Sequence, residues 1–324
     1  MQLLKKFLMP SLSWIQLEIS GLCNASCFYC PHTVFRKNWK GRNLSLSEFN
    51  KILPFLKKTE LLYLQGWGEP FCNPDFFTFV EIAKKYNTKV GTTTNGTLIE
   101  EKHLEKMVDL QMDIIAFSLT GIKKNDTLRQ GTSIEKILKT VDKLNEIKLR
   151  KNSQRPNINI AYLLLKSNLE ELENIPEIFH SRGIENIVVS FLDFIPDKSL
   201  EEESLMPKDE EDFKRLSKII QEITEKAKIK NLSIFFNLPH PFKRREVCSE
   251  KPTNALFINS LGFVSPCVFT GLPFDSEQNI HFGNINERSL ESLWFSKNYR
   301  KFRKAHVSSA PPSVCKNCPK LRIT

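Results

Sequence analysis

The stretch WIQLEISGLCNASCFYC, residues 14–30, decides how the chain is read. Its first seven residues, Trp14 to Ser20, alternate in polarity as a β-strand does. The loop that follows carries Cys23, Cys27 and Cys30. Three thiolates on so short a loop can reach three corners of a 4Fe–4S cube and leave the fourth iron open to an amine and a carboxylate together. A zinc site is the competing reading. It wants four ligands, usually in paired Cys-x2-Cys units, and the candidate fourth ligand, His32, lies only two residues beyond Cys30.

Working outward, further strand patterns lie at Leu61–Leu64, Val90–Thr94, Asp113–Leu119, Ile158–Leu165 and Ile187–Phe191. Helical patterns separate them: 45–58 with a Ser45/Glu48 capping box, 75–86, 100–110, 133–149, 169–181 with Gly183 at its C-cap, and 208–228. Six strands alternating with helices are the signature of βα units around a parallel sheet. Right-handed crossovers curl such units into an open barrel. The fold class expected is therefore α/β, a partial (β/α)6 TIM-like barrel. In barrels of this kind the chemistry sits at the C-terminal ends of the strands, and each polar motif below directly follows a strand. Beyond about residue 231 the rhythm stops. A hairpin around Leu261-Gly262 and a helix over 290–304 are set in loop punctuated by cysteines. Two domains are expected: 1–235, the barrel, and 236–324, a small cysteine-rich domain.

The chain has 324 residues, 40% hydrophobic and 26% charged, with a net charge of +10. Lys and Arg are spread throughout, the longest basic block being 243–245, so a solvated basic surface is the reading and a nucleic-acid site is not. No apolar run approaches the roughly 18 residues of a membrane helix. Residues 1–10 lack the apolar core of a signal peptide and read as a surface segment. A cytoplasmic location is expected. Eight cysteines there point to metal or catalysis rather than disulfides. Three form the first loop; Cys248, Cys267, Cys315 and Cys318 form a second group; Cys72, alone, reads as a buried thiol.

Cys-x3-Cys-x-aromatic-Cys, with Tyr29 as the aromatic residue, resembles the motif of the radical S-adenosylmethionine (SAM) superfamily. The resemblance implies a SAM-binding 4Fe–4S cluster on Cys23, Cys27 and Cys30, with Tyr29 near the adenine. Gly66-Trp67-Gly68-Glu69-Pro70 is similar to the family's Gly-Gly-Glu-Pro motif, which holds the SAM amino group, although Trp67 replaces the commonest second glycine. Thr94-Asn95-Gly96 resembles the family's Thr-Asn-Gly turn near SAM. Ser118 and Arg129 match positions that contact the SAM ribose or carboxylate, and the guanidinium fork suits a carboxylate. Asn168 is a weaker candidate that a helix N-cap explains equally well. The cofactor-binding residues expected are thus Tyr29, Gly68, Glu69, Asn95, Ser118 and Arg129. Asp193, His240 and Arg244 are polar but receive no catalytic role.

Four thiolates from Cys248, Cys267, Cys315 and Cys318 can close a site around zinc or a 4Fe–4S cube, and spacing does not choose between them. Gly262-x-Val-x-Pro-Cys267, Gly283-Asn284-Ile285, Leu293-Trp294, Arg303 and the final Cys-x2-Cys look like the SPASM/twitch appendage of radical SAM enzymes. Leu261 departs from the acidic residue often found before the hairpin glycine. No cysteine follows Cys318, so the resemblance implies one auxiliary 4Fe–4S cluster. It further implies reductive cleavage of SAM to a 5′-deoxyadenosyl radical and hydrogen abstraction from a peptide, protein or small molecule. The fully ligated auxiliary cluster would relay an electron, and a flavodoxin or ferredoxin would be the reductant. The rival reading is a zinc-stapled or cluster-bearing protein that binds or regulates without turnover.

Overall fold

Near-continuous β-branched and apolar runs make strands that are buried on both faces, as parallel sheets require. The structure, a computed structural model, describes residues 11–245, 247–308 and 310–322. The expectation for residues 1–10 lies outside them. Eleven strands run in chain order: β1 (Leu12–Leu17), β2 (Ser26–Cys27), β3 (Thr59–Leu64), β4 (Lys89–Thr94), β5 (Ile114–Leu119), β6 (Arg129–Gln130), β7 (Asn157–Leu164), β8 (Asn186–Phe191), β9 (Ser233–Phe236), β10 (Ala255–Ile258) and β11 (Val264–Ser265). The six strands expected from the sequence are all present, as β1, β3, β4, β5, β7 and β8.

The chain folds as two compact units. The first gathers 1–23, 37–92 and 246–317. Within it β1 pairs in parallel with β3 on one side and β10 on the other, and β3 pairs in parallel with β4. The expected hairpin forms as antiparallel β10 and β11, with Gly262 at φ +88° in the turn. The helix Phe76–Lys85 buries Phe76, Phe77, Phe79, Val80 and Ala83, and Phe79 meets Phe49 at 4.7 Å between ring centroids. Burying each such ring stabilises the unit by about 1.5–3 kcal/mol.

The second unit gathers 24–36, 93–245 and 318–324. Its strands β5, β7, β8 and β9 pair in parallel, in that order. The helix Ile134–Arg150 starts at Ser133, whose Oγ accepts the Lys136 amide, and buries Ile137, Val141, Leu144 and Ile147 on one face. The 20-residue helix Glu210–Ile229 is capped by Asp209, which accepts the amides of Glu211 and Asp212.

Three expected helices are interrupted: the one over 290–304 is Leu290–Trp294 and Lys297–Val307, the second capped by Ser296, and the other two break at proline. The helix over 45–58 is two pieces, Leu46–Asn50 and Leu53–Leu56, because Pro54 has no amide to continue the ladder. The helix over 169–181 is 3₁₀ over Lys166–Asn174 and α only over Ile175–Phe179, with Pro176 at the changeover. Strand β9 lies where the sequence suggested only a change of pattern.

Glu48 ties the start of the first unit's short helix to the hairpin region. Its carboxylate accepts from Arg42 at 2.6 and 2.9 Å, from the Ser45 amide at 2.9 Å and from Asn286 at 2.7 Å. Burial works to raise its pKa, but these donors outweigh it and hold the carboxyl well below the usual range. The stabilisation is therefore complete above the ordinary carboxylate pKa of about 4.3 and fades as pH falls below it. Glu48→Ala is expected to cost about 1–3 kcal/mol, read as a lower thermal midpoint at pH 7. The gap to the wild type should shrink as the melts are repeated toward pH 3; a gap independent of pH would refute the assignment.

Candidate active site

The cysteine loop is built from hydrogen bonds that its own residue types dictate. In the second unit, β2 pairs antiparallel with β6, setting Cys27 opposite Arg129. The Cys30 amide donates to the Cys27 carbonyl, and the amides of Thr33 and Val34 donate to the Cys30 carbonyl, so a helical turn begins at the third cysteine. Asn24 at the head of this segment donates to Thr97 Oγ1 at 2.6 Å and accepts from Asn95 Nδ2 at 2.9 Å. Asn95 Oδ1 in turn accepts the Thr97 amide, and Gly96 takes φ +77°, which closes the turn. Asn95, expected at the site, thus holds the cysteine segment in place.

Tyr29 is packed among Leu165, Leu192 and Leu200, with Cys27 and Cys30 against the same cluster. Its hydroxyl lies 2.7 Å from Thr120 Oγ1 and accepts from Arg129 Nη1 at 3.2 Å. Burial pushes the Tyr29 hydroxyl above its ordinary pKa, against the pull of Arg129. For Arg129 burial opposes the charge, but Tyr29, Cys27 and Cys30 outweigh it and hold the guanidinium charged. Arg129 is only 6% exposed, and its Nε has no hydrogen-bond partner among the described residues. Ser118 sits half-buried in β5, opposite Ala161. Thr120, two residues on, is the group that meets Tyr29, and sequence reading did not single it out. Asn168 accepts the Leu165 amide and donates to the Leu163 carbonyl, the capping role that the sequence allowed.

Cys23 and the Gly66–Pro70 loop belong to the first unit. The Glu69 amide donates to the Leu22 carbonyl at 2.7 Å, and a Cβ on Gly68 would lie 2.1 Å from the Ser20 carbonyl oxygen. No other residue fits there, because the two backbones touch directly ahead of Cys23. Glu69 is buried and its carboxylate accepts the Phe71 amide.

Beneath this loop lies a residue the sequence reading missed, Glu18. It is wholly buried at the end of β1, accepting the Trp67 amide on Oε1 at 2.7 Å and the Ser260 amide on Oε2 at 2.9 Å. Burial raises its pKa, and the surrounding amides oppose that rise. The Trp67 indole donates to the Val268 carbonyl and meets Phe269 edge-on at 6.0 Å. Glu18 and Trp67 together therefore join the Gly66–Pro70 loop to the segment carrying Cys267.

In the second cysteine group, Cys248, Cys267 and Cys315 belong to the first unit and Cys318 to the second. Burial pushes the Cys267 thiol up to about 12, with Glu250 adding to the effect and Cys248 contributing. A thiol this reluctant to ionise alone is deprotonated by coordination to a cation. Cys318 sits on a segment pinned by a Lys320–Asp193 ion pair at 2.6 Å and by Arg245, which donates to the Leu321 and Arg322 carbonyls. Arg244 forms a bridge to Arg322. His240 is buried with Nδ1 accepting two amides, which gives it a structural task. Cys72 is half-buried rather than buried.

The family model described as Radical SAM superfamily matches residues 17–178, half of the chain. The chain belongs to the radical SAM superfamily. A second model, SPASM, described as an iron–sulfur cluster-binding domain, matches residues 248–319. A curated relative, the tungsten-containing aldehyde ferredoxin oxidoreductase cofactor-modifying protein of Pyrococcus furiosus, is 26% identical over 95% of this chain and 87% of its own length. The PqqA peptide cyclase of Granulibacter bethesdensis is 21% identical over 94% of this chain and 79% of its own. Streptococcus suis SuiB bound to S-adenosylmethionine superimposes with a TM-score of 0.73 at 18% identity, over all of this chain and 79% of that one. These likenesses establish a radical SAM fold of the α/β class with a C-terminal SPASM domain. The protein is a radical SAM enzyme whose cofactors are SAM, a 4Fe–4S cluster and an auxiliary iron–sulfur centre. No helix among the described residues is long and apolar enough to cross a membrane.

The donor chemistry fits these groups: soft thiolates for iron, a glycine with no room for a side chain ahead of Cys23, and a buried guanidinium nitrogen without a hydrogen-bond partner among the described residues. Gly68→Ala is expected to weaken SAM binding at least about tenfold, roughly 1.4 kcal/mol, in anaerobic equilibrium dialysis. Glu18→Gln places an amide N–H against a backbone N–H and is expected to cost about 1–3 kcal/mol of stability; an unchanged thermal midpoint would mean that Glu18 does not hold the loop.

Proposed function

We propose that this radical SAM enzyme oxidatively modifies a peptide, a protein or a small organic cofactor, binding SAM at Cys23, Cys27 and Cys30 and an auxiliary 4Fe–4S cluster at Cys248, Cys267, Cys315 and Cys318. The observation that carries the reading is the buried Tyr29–Arg129 pair beside Cys27 and Cys30, where a buried guanidinium keeps an Nε with no hydrogen-bond partner among the described residues. A buried charge of this kind costs several kcal/mol unless anionic groups compensate it. When bound, SAM and the first cluster supply a radical that takes hydrogen from substrate, and the auxiliary cluster supplies a path for the electron that leaves it.

The chain's own residues bind and shield. Tyr29 offers a ring face fixed by Thr120 and Arg129, suited to an adenine. Arg129 Nε suits the SAM carboxylate or ribose, and the Gly68–Glu69 segment suits the ammonium. Ser118 and Asn95 complete the proposed contacts. In functional terms 1–235 carries the SAM chemistry and 236–324 the auxiliary cluster. The names of the relatives, a cofactor-modifying protein and a peptide cyclase, support the substrate classes. A cytoplasmic setting keeps the thiols reduced, and the +10 net charge suits docking of an acidic flavodoxin or ferredoxin.

Anaerobic reconstitution should give about eight irons per chain, two cubes, without zinc. Dithionite and SAM should then yield 5′-deoxyadenosine. Cys23→Ala should abolish that product, whereas Cys315→Ala should leave it and reduce modified substrate at least about tenfold. Equal loss of both in Cys315→Ala would sink the relay role, and about four irons would mean that one cysteine group is misassigned.

A further inference from the structure

Two tyrosines are buried close to cysteines, and they differ in one respect. The Tyr29 hydroxyl is satisfied twice over. The Tyr299 hydroxyl, wholly buried in the first unit, has no hydrogen-bond partner among the described residues. A buried hydroxyl left unbonded costs about 1–3 kcal/mol, so native proteins rarely keep one without a use. The ring itself is firmly held. Phe282 stacks on it at 3.8 Å, Trp294 meets it edge-on at 5.0 Å, and the Arg303 guanidinium lies 4.6 Å over it. The packing thus fixes where the hydroxyl is and leaves its proton unspent. Tyr299 stands on the helix Lys297–Val307, in the unit that also holds Cys248, Cys267 and Cys315. The ring stacked on Tyr299, Phe282, donates its amide to the Val264 carbonyl at 2.8 Å, three residues before Cys267, so the packing brings Tyr299 to the strand that leads into that cysteine. Two neighbours on the same helix, Arg303 at i+4 and His306 at i+7, also carry a buried nitrogen without a hydrogen-bond partner among the described residues, Nη1 and Nε2, and residues so spaced share one helix face.

We propose that Tyr299 is a positioning residue for the auxiliary cluster, its hydroxyl donating a hydrogen bond to a sulfide of the bound cluster and so raising the cluster's reduction potential. The inference rests on the auxiliary cluster being bound at Cys248, Cys267, Cys315 and Cys318. Reduction adds one electron and makes the sulfurs more negative. A donated hydrogen bond therefore favours the reduced form over the oxidised one, and hydrogen bonds to the sulfurs are among the factors that set such potentials.

The test uses the full chain with Cys23, Cys27 and Cys30 replaced by alanine, so that only the auxiliary cluster is present, reconstituted anaerobically and titrated under EPR. This background should retain about four irons; retention of none would overturn the cluster assignment itself. Tyr299→Phe keeps the stacked ring and removes only the hydroxyl. It should keep the iron and lower the reduced-to-oxidised ratio at a fixed ambient potential about three- to tenfold, a tenfold change being about 59 mV for one electron. An exchangeable deuteron coupled to the cluster in D₂O should disappear in the same variant. If iron is retained and the potential and deuteron coupling are unchanged, the Tyr299 inference fails while the cluster assignment stands. If Tyr299→Phe loses iron, 3-fluorotyrosine placed at position 299 decides: a more acidic hydroxyl should move the potential upward, and no movement overturns the proposal.

Discussion

A cation sealed from water next to two thiols is the constraint around which the second unit's cysteine segment is organised. Arg129 reaches that place because its own two-residue strand pairs with Ser26–Cys27 and so cannot lie elsewhere. Its charge is unfavourable to bury alone, and it is held by anionic or polar neighbours: Tyr29 and, when ionised, Cys27 and Cys30. A single buried guanidinium therefore fixes the aromatic ring between the second and third cysteines.

The first unit solves a different problem, the close approach of backbones. Gly68 comes against the Ser20 carbonyl because it has no side chain in the way, and Glu18 below fixes the approach by accepting hydrogen bonds from the Trp67 and Ser260 amides. One carboxylate serves two loops, 66–70 and 259–271, so neither loop can shift without breaking a hydrogen bond inside the core. Trp67 adds a second tie between them. In a glycine's place it gives up backbone freedom but contributes an indole N–H and a large face to the contact with Val268 and Phe269.

Much of this was legible in the residues. The six strands could be read from polarity and β-branching because each is long enough to show its period, whereas Ser233–Phe236 is too short for that. The helices over 45–58 and 169–181 were read from an amphipathic pattern that persists across Pro54 and Pro176, although the hydrogen-bond ladder does not. At the site, the positions of Tyr29, Gly68, Asn95 and Arg129 came from a resemblance, but no spacing rule links Tyr29 to Arg129 a hundred residues away. Thr120 was passed over because a threonine at a strand end looks ordinary. Glu18 was passed over because a polar residue in an alternating strand normally faces water. Its setting held a signal all the same: in a parallel sheet covered on both faces, an acidic residue near a strand's C-terminal end has no water to face and must find donors.

The buried polar atoms without partners sort the molecule further. Tyr162 and Tyr299 both bury their hydroxyls; the Gly121 backbone acts on that of Tyr162, and that of Tyr299 has no hydrogen-bond partner among the described residues. Tyr162 stands in β7, with Glu171 as the charge acting on it, and that carboxylate already accepts the amides of Ile122, Lys123 and Lys124. Its surroundings contain a saturated structural acceptor. Tyr299 has Cys267 as its acidic neighbour, a residue whose thiol is suppressed by burial and whose sulfur gains charge on binding metal. The two hydroxyls are alike in burial and differ in surroundings: Tyr162 stands near a carboxylate whose acceptors are already used, whereas Tyr299 shares its unit with a thiol that coordination to a metal would charge.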